Sequence, residues 1–313
     1  MATERQVQLD RVSITNAMTV DVEDYFQVSA FEPYISRDQW DHLPCRVERN
    51  TDRILDMFTG YGVSATFFTL GWVAERYPAL IKRIVERGHE LACHGYSHVR
   101  VTEQSPGEFR KDVLRAKGLL EDIGGVPVRG YRAASYSIGA KNLWALDVLE
   151  DIGFAYSSSI YPVKHNLYGM PEAPRFAFST SGSGRLLEIP VTTVAFGDRT
   201  FPCGGGGYFR LFPYALSKWA INQVNQKDQQ ASVFYFHPWE IDPEQPKQSG
   251  IDIKTRVRHY LNLSRMESRL QRLLCDFQWN TMEKVFLGQK MGEVDKADPA
   301  SKHEQHEREF VRT

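Results

Sequence analysis

No stretch of the 313-residue sequence reaches the roughly 18 consecutive apolar residues needed to cross a bilayer, so no membrane span is expected. The first ten residues are polar and lack the apolar core of a signal peptide, which points to a cytoplasmic protein. Cysteine is scarce: Cys45, Cys93, Cys203 and Cys275 stand far apart and form no C-x-x-C pair. That spacing excludes a zinc knuckle and a disulfide framework and leaves four buried free thiols as the expectation. Net charge is nearly absent, because 38 Lys and Arg against 39 Asp and Glu leave -1. A chain so balanced has no global attraction to nucleic acid or to an anionic membrane. The glycine run at 204–207 lacks the Lys-Ser or Lys-Thr that would make it a phosphate loop, which excludes a nucleotide site there.

What is present is the composition of a soluble globular protein, 42% hydrophobic and 25% charged, long enough for a single α/β barrel. Short β-rich runs at 12–22, 65–70, 89–93, 128–131, 154–157, 186–191 and 232–237 alternate with amphipathic helical runs at 51–61, 77–87, 106–123, 143–152 and 213–225. Such alternation is the trace of a parallel sheet with crossover helices. The expected organisation is a polar segment over 1–11, a catalytic barrel over 12–242, a helical extension over 243–287 packed on it, and a disordered tail over 288–313 that is rich in charge and poor in apolar residues.

Four polar clusters fall at or just after strand ends, where barrels of this type gather their chemistry. His94 and His98 are four residues apart, which brings two imidazoles to one side of a helical turn, and they follow an apolar strand. In the run Asp21-Val22-Glu23-Asp24, three acids repel one another unless a cation or partner neutralises them. The blander reading is a surface turn with acids capping a helix, but Tyr25-Phe26 follows at once and suggests a buried surround. Two His and one carboxylate make the three protein ligands of a catalytic metal that keeps a place for water, and zinc, cobalt or nickel would accept them. Asp21 and Glu23 share a face of an extended strand, whereas Asp24 would need the strand to turn. Arg132 could keep a catalytic carboxylate ionised, or be an ordinary rim ion pair. His237 ends an aromatic strand, and a histidine is the usual choice to protonate a leaving amine, although a lone one in such a run is more often a packed core residue.

In this order the clusters resemble the polysaccharide deacetylase family (carbohydrate esterase family 4, the NodB-homology domain) over roughly 14–242. The family's strand-terminal acid pair is matched by Asp21 to Asp24, its His-x-x-x-His by His94 and His98 behind Gly88-His89-Glu90, its Arg motif by Arg132 and its strand-terminal His by His237. The variant Asp-Val-Glu-Asp-Tyr-Phe, the Gly-Gly-Gly-Tyr-Phe loop at 205–209 and the extension after His237 are similar to a subgroup found with bacterial exopolysaccharide and exosortase gene clusters. The resemblance implies a distorted (β/α) barrel of fewer than eight strands and a metal-dependent hydrolase that removes the N-acetyl group of an amino sugar, in an oligo- or polysaccharide or a lipid-linked saccharide. It implies Asp21 as base, His237 as acid, and a metal on His94, His98 and one carboxylate, with Glu23 preferred to Asp24 on strand geometry. Arg132 is followed by Ala133-Ala134 where the family has a proline, so the backbone donor to the oxyanion falls on Ser135 or Tyr136. Where many relatives carry an Asp after the strand-terminal Tyr, this chain has Ser157-Ser158-Ser159, which leaves the partner that orients His237 unidentified. Tyr208 and Trp239 are the aromatics expected to stack on sugar rings. Two rival functions are hydrolysis of a cyclic amide in purine breakdown and a catalytically silent sugar-binding or assembly protein of polysaccharide export.

Overall fold

The computed structural model describes residues 14–164, 169–180, 184–197 and 199–288. The polar segment expected over 1–11 and the tail after 288 lie outside them.

The apolar run that opens the barrel forms β1 (Thr15–Val22), every residue of which after Thr15 is buried. The strand pairs with neighbours on both edges and lies in the core, which requires apolar or well-partnered side chains on both faces. The chain then alternates through α1 (Val47–Tyr61), β2 (Thr66–Thr69), α2 (Gly71–Arg76), α3 (Pro78–Glu86), β3 (Glu90–Cys93), α4 (Pro106–Gly124), β4 (Gly130–Tyr131), α5 (Trp144–Ile152) and β5 (Tyr156–Ser157). Pro106 at the first turn and the reciprocal bonds between Ser105 and Glu108 start α4, and left-handed Gly125 ends it. Beyond β6 (Phe178–Ser179) and β7 (Leu187–Glu188), β8 (Thr193–Phe196) and β9 (Arg199–Pro202) make a separate hairpin. There follow α6 (Gly206–Leu211), α7 (Tyr214–Asn222), β10 (Val233–Phe236), α8 (Ile253–Tyr260), α9 (Leu263–Asp276) and β11 (Gln278–Asn280).

Among the described residues the curved sheet has nine strands, and seven of them run parallel in the order β10-β1-β2-β3-β4-β5-β7. Antiparallel β6 extends its edge, and β11 pairs with the start of β1. Helices α1 and α9 share one core with β1, β2 and β10, built on Ile54, Phe67, Phe234 and Leu270. Because the seven strands run the same way, β1, β3, β4 and β10 all end on the same rim, and Glu23, His94, Arg132 and His237 are the residues that follow those ends. The thiols correct one expectation: Cys93 and Cys203 are buried, but Cys45 is half-buried and Cys275, on the polar side of α9, is exposed.

Candidate active site

The rim encloses a cavity of about 170 Å³ bordered by Asp21, Glu23, His94, His98, Tyr136 and His237. Buried Arg132 crosses beneath it. Its Nη1 donates to Asp21 Oδ1 (2.5 Å) and Thr19 Oγ1 (2.8 Å), while Nη2 and Nε donate to Ser158 Oγ (3.1 Å) and the Ser158 carbonyl (3.2 Å). The guanidinium lies 4.0 Å from the centre of the Phe68 ring, so no water competes for its charge from that side. Asp21 is thereby pinned through one oxygen, and the other faces the Tyr136 hydroxyl at 3.5 Å and His237 Nε2 at 3.9 Å.

One ligand atom each from Glu23, His94 and His98 lies within 4.8 Å of the other two. His94 Nδ1 is 2.8 Å from the Arg132 carbonyl, an acceptor that puts the ring proton on Nδ1 and leaves the Nε2 lone pair for the cavity. Burial, ahead of the neighbouring His98, pushes His94 down to about 4, which keeps it neutral. Glu23 Oε2 stands 3.0 Å from His98 Nε2, yet among the described residues it is buried with no partner in hydrogen-bonding alignment. Two ligands of one ion at zinc distances sit about 3 Å apart with lone pairs converging rather than facing a shared proton, so this orphaned contact fits a divalent metal. Burial raises the Glu23 carboxyl, but His98, His237 and His94 outweigh it and hold the group at about 2.

Of the two carboxylates open from sequence, only Glu23 reaches the histidines. Asp24 turns away: its carboxylate accepts the backbone N–H groups of Arg46 (2.5 Å) and Val47 (2.8 Å) at the start of α1 and that of Tyr25 (2.8 Å). Three donors and a helix N-terminus make that an anion seat, and Asp24 is absent from the converging group. Tyr208 also departs from expectation. Gly207 borders the catalytic cavity, but the next residue on α6 faces a separate apolar pocket between Val194, Phe201, Phe212 and Trp219. Trp239 does border the cavity, stacked 5.3 Å from the His237 ring. Ser135 (φ 53°) and Tyr136 (φ 52°) both adopt left-handed backbone, and the Ser135 hydroxyl bonds that of Ser29. The Tyr136 N–H closes a turn on the Ala133 carbonyl at 3.0 Å, which shifts the expected oxyanion donor to Ser135.

His237 acquires the partner that sequence reading left open. Glu240 Oε1 lies 2.8 Å from His237 Nδ1, and Arg210 Nε donates to Glu240 Oε2 at 2.6 Å. Burial lowers the His237 pKa, but Glu23, Glu240 and Asp21 reverse that and carry it to about 9. The i, i+3 spacing within His-Pro-Trp-Glu was the one local signal for Glu240. Arg210 carried none, because its approach depends on packing α6 against β10.

Residues 39–157 match the family model described as polysaccharide deacetylase, and residues 158–287 match one described as a domain of unknown function, DUF3473. A peptidoglycan-N-acetylglucosamine deacetylase of Listeria monocytogenes is 35% identical over 155 residues, 48% of this chain and 32% of the relative. A Bradyrhizobium chitooligosaccharide deacetylase is 33% identical over 99 residues, covering 32% and 43%. In both, the matched stretch spans less than half of the curated relative. A crystal structure from Mycobacterium smegmatis, described as a polysaccharide deacetylase, superposes with a TM-score of 0.59 over 90% of this chain and 91% of the other at 19% identity, which shows a shared fold.

Proposed function

Since residues 39–157 match the polysaccharide deacetylase model, we propose that the chain is a metal-dependent de-N-acetylase of an N-acetylated amino sugar, acting on a saccharide intermediate of exopolysaccharide biosynthesis. The observation that carries this reading is the convergence of Glu23, His94 and His98 between Asp21 on one flank and His237 on the other. We take 12–242 as the catalytic barrel and 243–287 as an extension packed on it.

Glu23, His94 and His98 would hold the ion, zinc by the chemistry of the donors, with cobalt or nickel as substitutes. When bound, it supplies Lewis acidity to the acetyl carbonyl and to the attacking water. Asp21, held in place by Arg132, accepts the water's proton. His237 presents Nε2 3.4 Å from Glu23 and donates a proton to the departing nitrogen, so the sugar leaves as an amine. The Ser135 N–H would stabilise the oxyanion, and Trp239 would offer a ring face to the sugar.

Acetate release from N-acetylglucosamine oligomers tests this directly. The native protein is expected to release acetate, lose that activity to a chelator, regain it with zinc or cobalt, and stay inactive as His94→Ala. Activity indifferent to both chelator and substitution overturns the metal reading. Saccharide binding without acetate release from any amino sugar points instead to a silent binding protein.

A further inference from the structure

The proton donor of the proposed reaction belongs to a segment with no function attached to it, and its surroundings are built with unusual economy. Glu240 is fully buried, and a carboxylate taken out of water is costly unless each oxygen finds a strong partner. Both do. Oε1 lies against His237 Nδ1 and accepts the His237 backbone N–H at 3.1 Å, and Oε2 takes Arg210 Nε. Arg210, itself 3% exposed, is fixed at its other end by the carbonyls of His259 (2.9 Å) and Leu261 (2.7 Å), at the C-terminal end of α8. The glycine run makes the approach possible, since a Cβ at Gly206 would stand 2.3 Å from Glu240 Oε1. One face of His237 is covered by Trp239, which stacks in turn on His259 at 4.3 Å.

We infer that Glu240 and Arg210 are positioning residues for His237, fixing a proton on Nδ1 so that Nε2 alone serves the leaving group, and that residues 158–287 are thereby the proton-delivery half of the active site. The inference rests on the deacetylase reading, and it replaces the strand-end Asp of many relatives with a Glu one turn after the histidine itself. In the reaction the C–O bond forms as the water's proton passes to Asp21. The C–N bond then breaks, its electron pair staying on nitrogen, which takes the proton of His237 Nε2. Solvent later removes the proton from Asp21 and restores that of His237. Glu240 exchanges no proton. It keeps the ring turned with Nε2 toward the cavity, as a buried carboxylate does for a catalytic histidine elsewhere.

Leaving-group dependence separates this role from a merely structural ion pair. Glu240→Gln keeps the shape and is expected to lower kcat on N-acetylglucosamine oligomers about 10- to 100-fold with KM nearly unchanged. Hydrolysis of 4-nitrophenyl acetate, whose phenolate leaves without a proton, should fall less than about threefold. Gly206→Ala, which keeps both charges and crowds Oε1, and Arg210→Lys should show the same selectivity in milder form, with zinc content unchanged. Equal losses on both substrates, or full acetamide turnover in Glu240→Gln, would overturn the assignment. A substrate-free readout guards against failure of the deacetylase reading itself: the native protein should show a downfield, hydrogen-bonded His237 Nδ1 proton in its NMR spectrum that Glu240→Gln lacks. Its absence from the native spectrum overturns the positioning role whatever the protein hydrolyses.

Discussion

His94 and His237 border the same cavity and are held in opposite states. His94 sits among groups that need it neutral: its Nδ1 meets a carbonyl, burial is complete and a second imidazole stands beside it, so its pKa drops to about 4. His237 is only part-buried in its own wall, and it faces Glu23, Glu240 and Asp21, so it rises to about 9. Groups of one kind driven apart by their surroundings mark a division of labour, here between a ligand and a proton donor. The first half, from β1 to β4, holds a buried ligand atom, Glu23 Oε2, with no aligned hydrogen-bond partner among the described residues. The second half ends in saturated bonds from His237 through Glu240 to Arg210. One half is shaped for something to arrive, the other to hold a proton still.

The widest separation between the halves should come from paired substitutions. Glu23→Ala is expected to abolish stoichiometric zinc binding, measured by elemental analysis, and to lower acetate release on the order of a thousandfold, the several kcal/mol that a Lewis acid supplies. His237→Ala should keep its zinc while losing about 10²- to 10⁴-fold on acetamides. If His237→Ala also loses the metal, the two halves are one unit and the contrast between them fails.

How much of this could be read from sequence follows the same division. The metal half is local: an acid run, a His pair and an Arg, each at the end of a strand visible from its apolar residues, and parallel strands carry those ends to one rim. The strands at 12–22, 65–70, 89–93 and 232–237 were legible because burial on both faces demands apolar runs. The proton half was not, because it depends on α6 lying against β10, a contact between residues about 30 apart that glycines permit and no periodicity announces. Tyr208 shows the same limit. Its position in the loop suggested the cavity, but the rotation of a six-residue helix turned it to the other pocket while Gly207 stayed. Asp24 was ambiguous because a metal ligand and an N-terminal anion seat call for the same residue type, and only the arrival of α1 chose between them.

That choice gives a smaller test within the metal half. Asp24→Ala removes the acceptor for the buried N–H groups at the start of α1 and should cost about 1–3 kcal/mol in unfolding free energy, read from denaturant midpoints. Zinc stoichiometry should stay that of the native protein. A loss of metal with unchanged stability would make Asp24 a ligand after all and undo the split of the acid run.

The smallest effect is graded, and it sets the two kinds of histidine against each other in one curve. Burial holds His89 and His94 at about 4 and His259 at about 3, all below the ordinary value near 6.5. As pH falls from 6.5 toward 4, the unfolded chain takes up protons at these positions and the folded chain does not, so stability falls with acid. His237 has the opposite sign. Raised to about 9, it contributes stability that is fully present below 6.5 and is lost as pH climbs through 9. In the chelated protein the three low histidines therefore pull the melting temperature down in acid, against Asp24, whose carboxyl burial raises to about 6, and His237 pulls it down in alkali. His259→Gln should flatten the acid limb and spare the alkaline one, because His259 is buried against Trp239 and Phe31 with its Nε2 on Gln245. Glu240→Gln should flatten only the alkaline limb, by removing one of the carboxylates that hold His237 charged. If His259→Gln left the acid limb unchanged and Glu240→Gln left the alkaline limb unchanged, these histidines would not differ in charge, and the contrast between ligand and donor would lose its electrostatic basis.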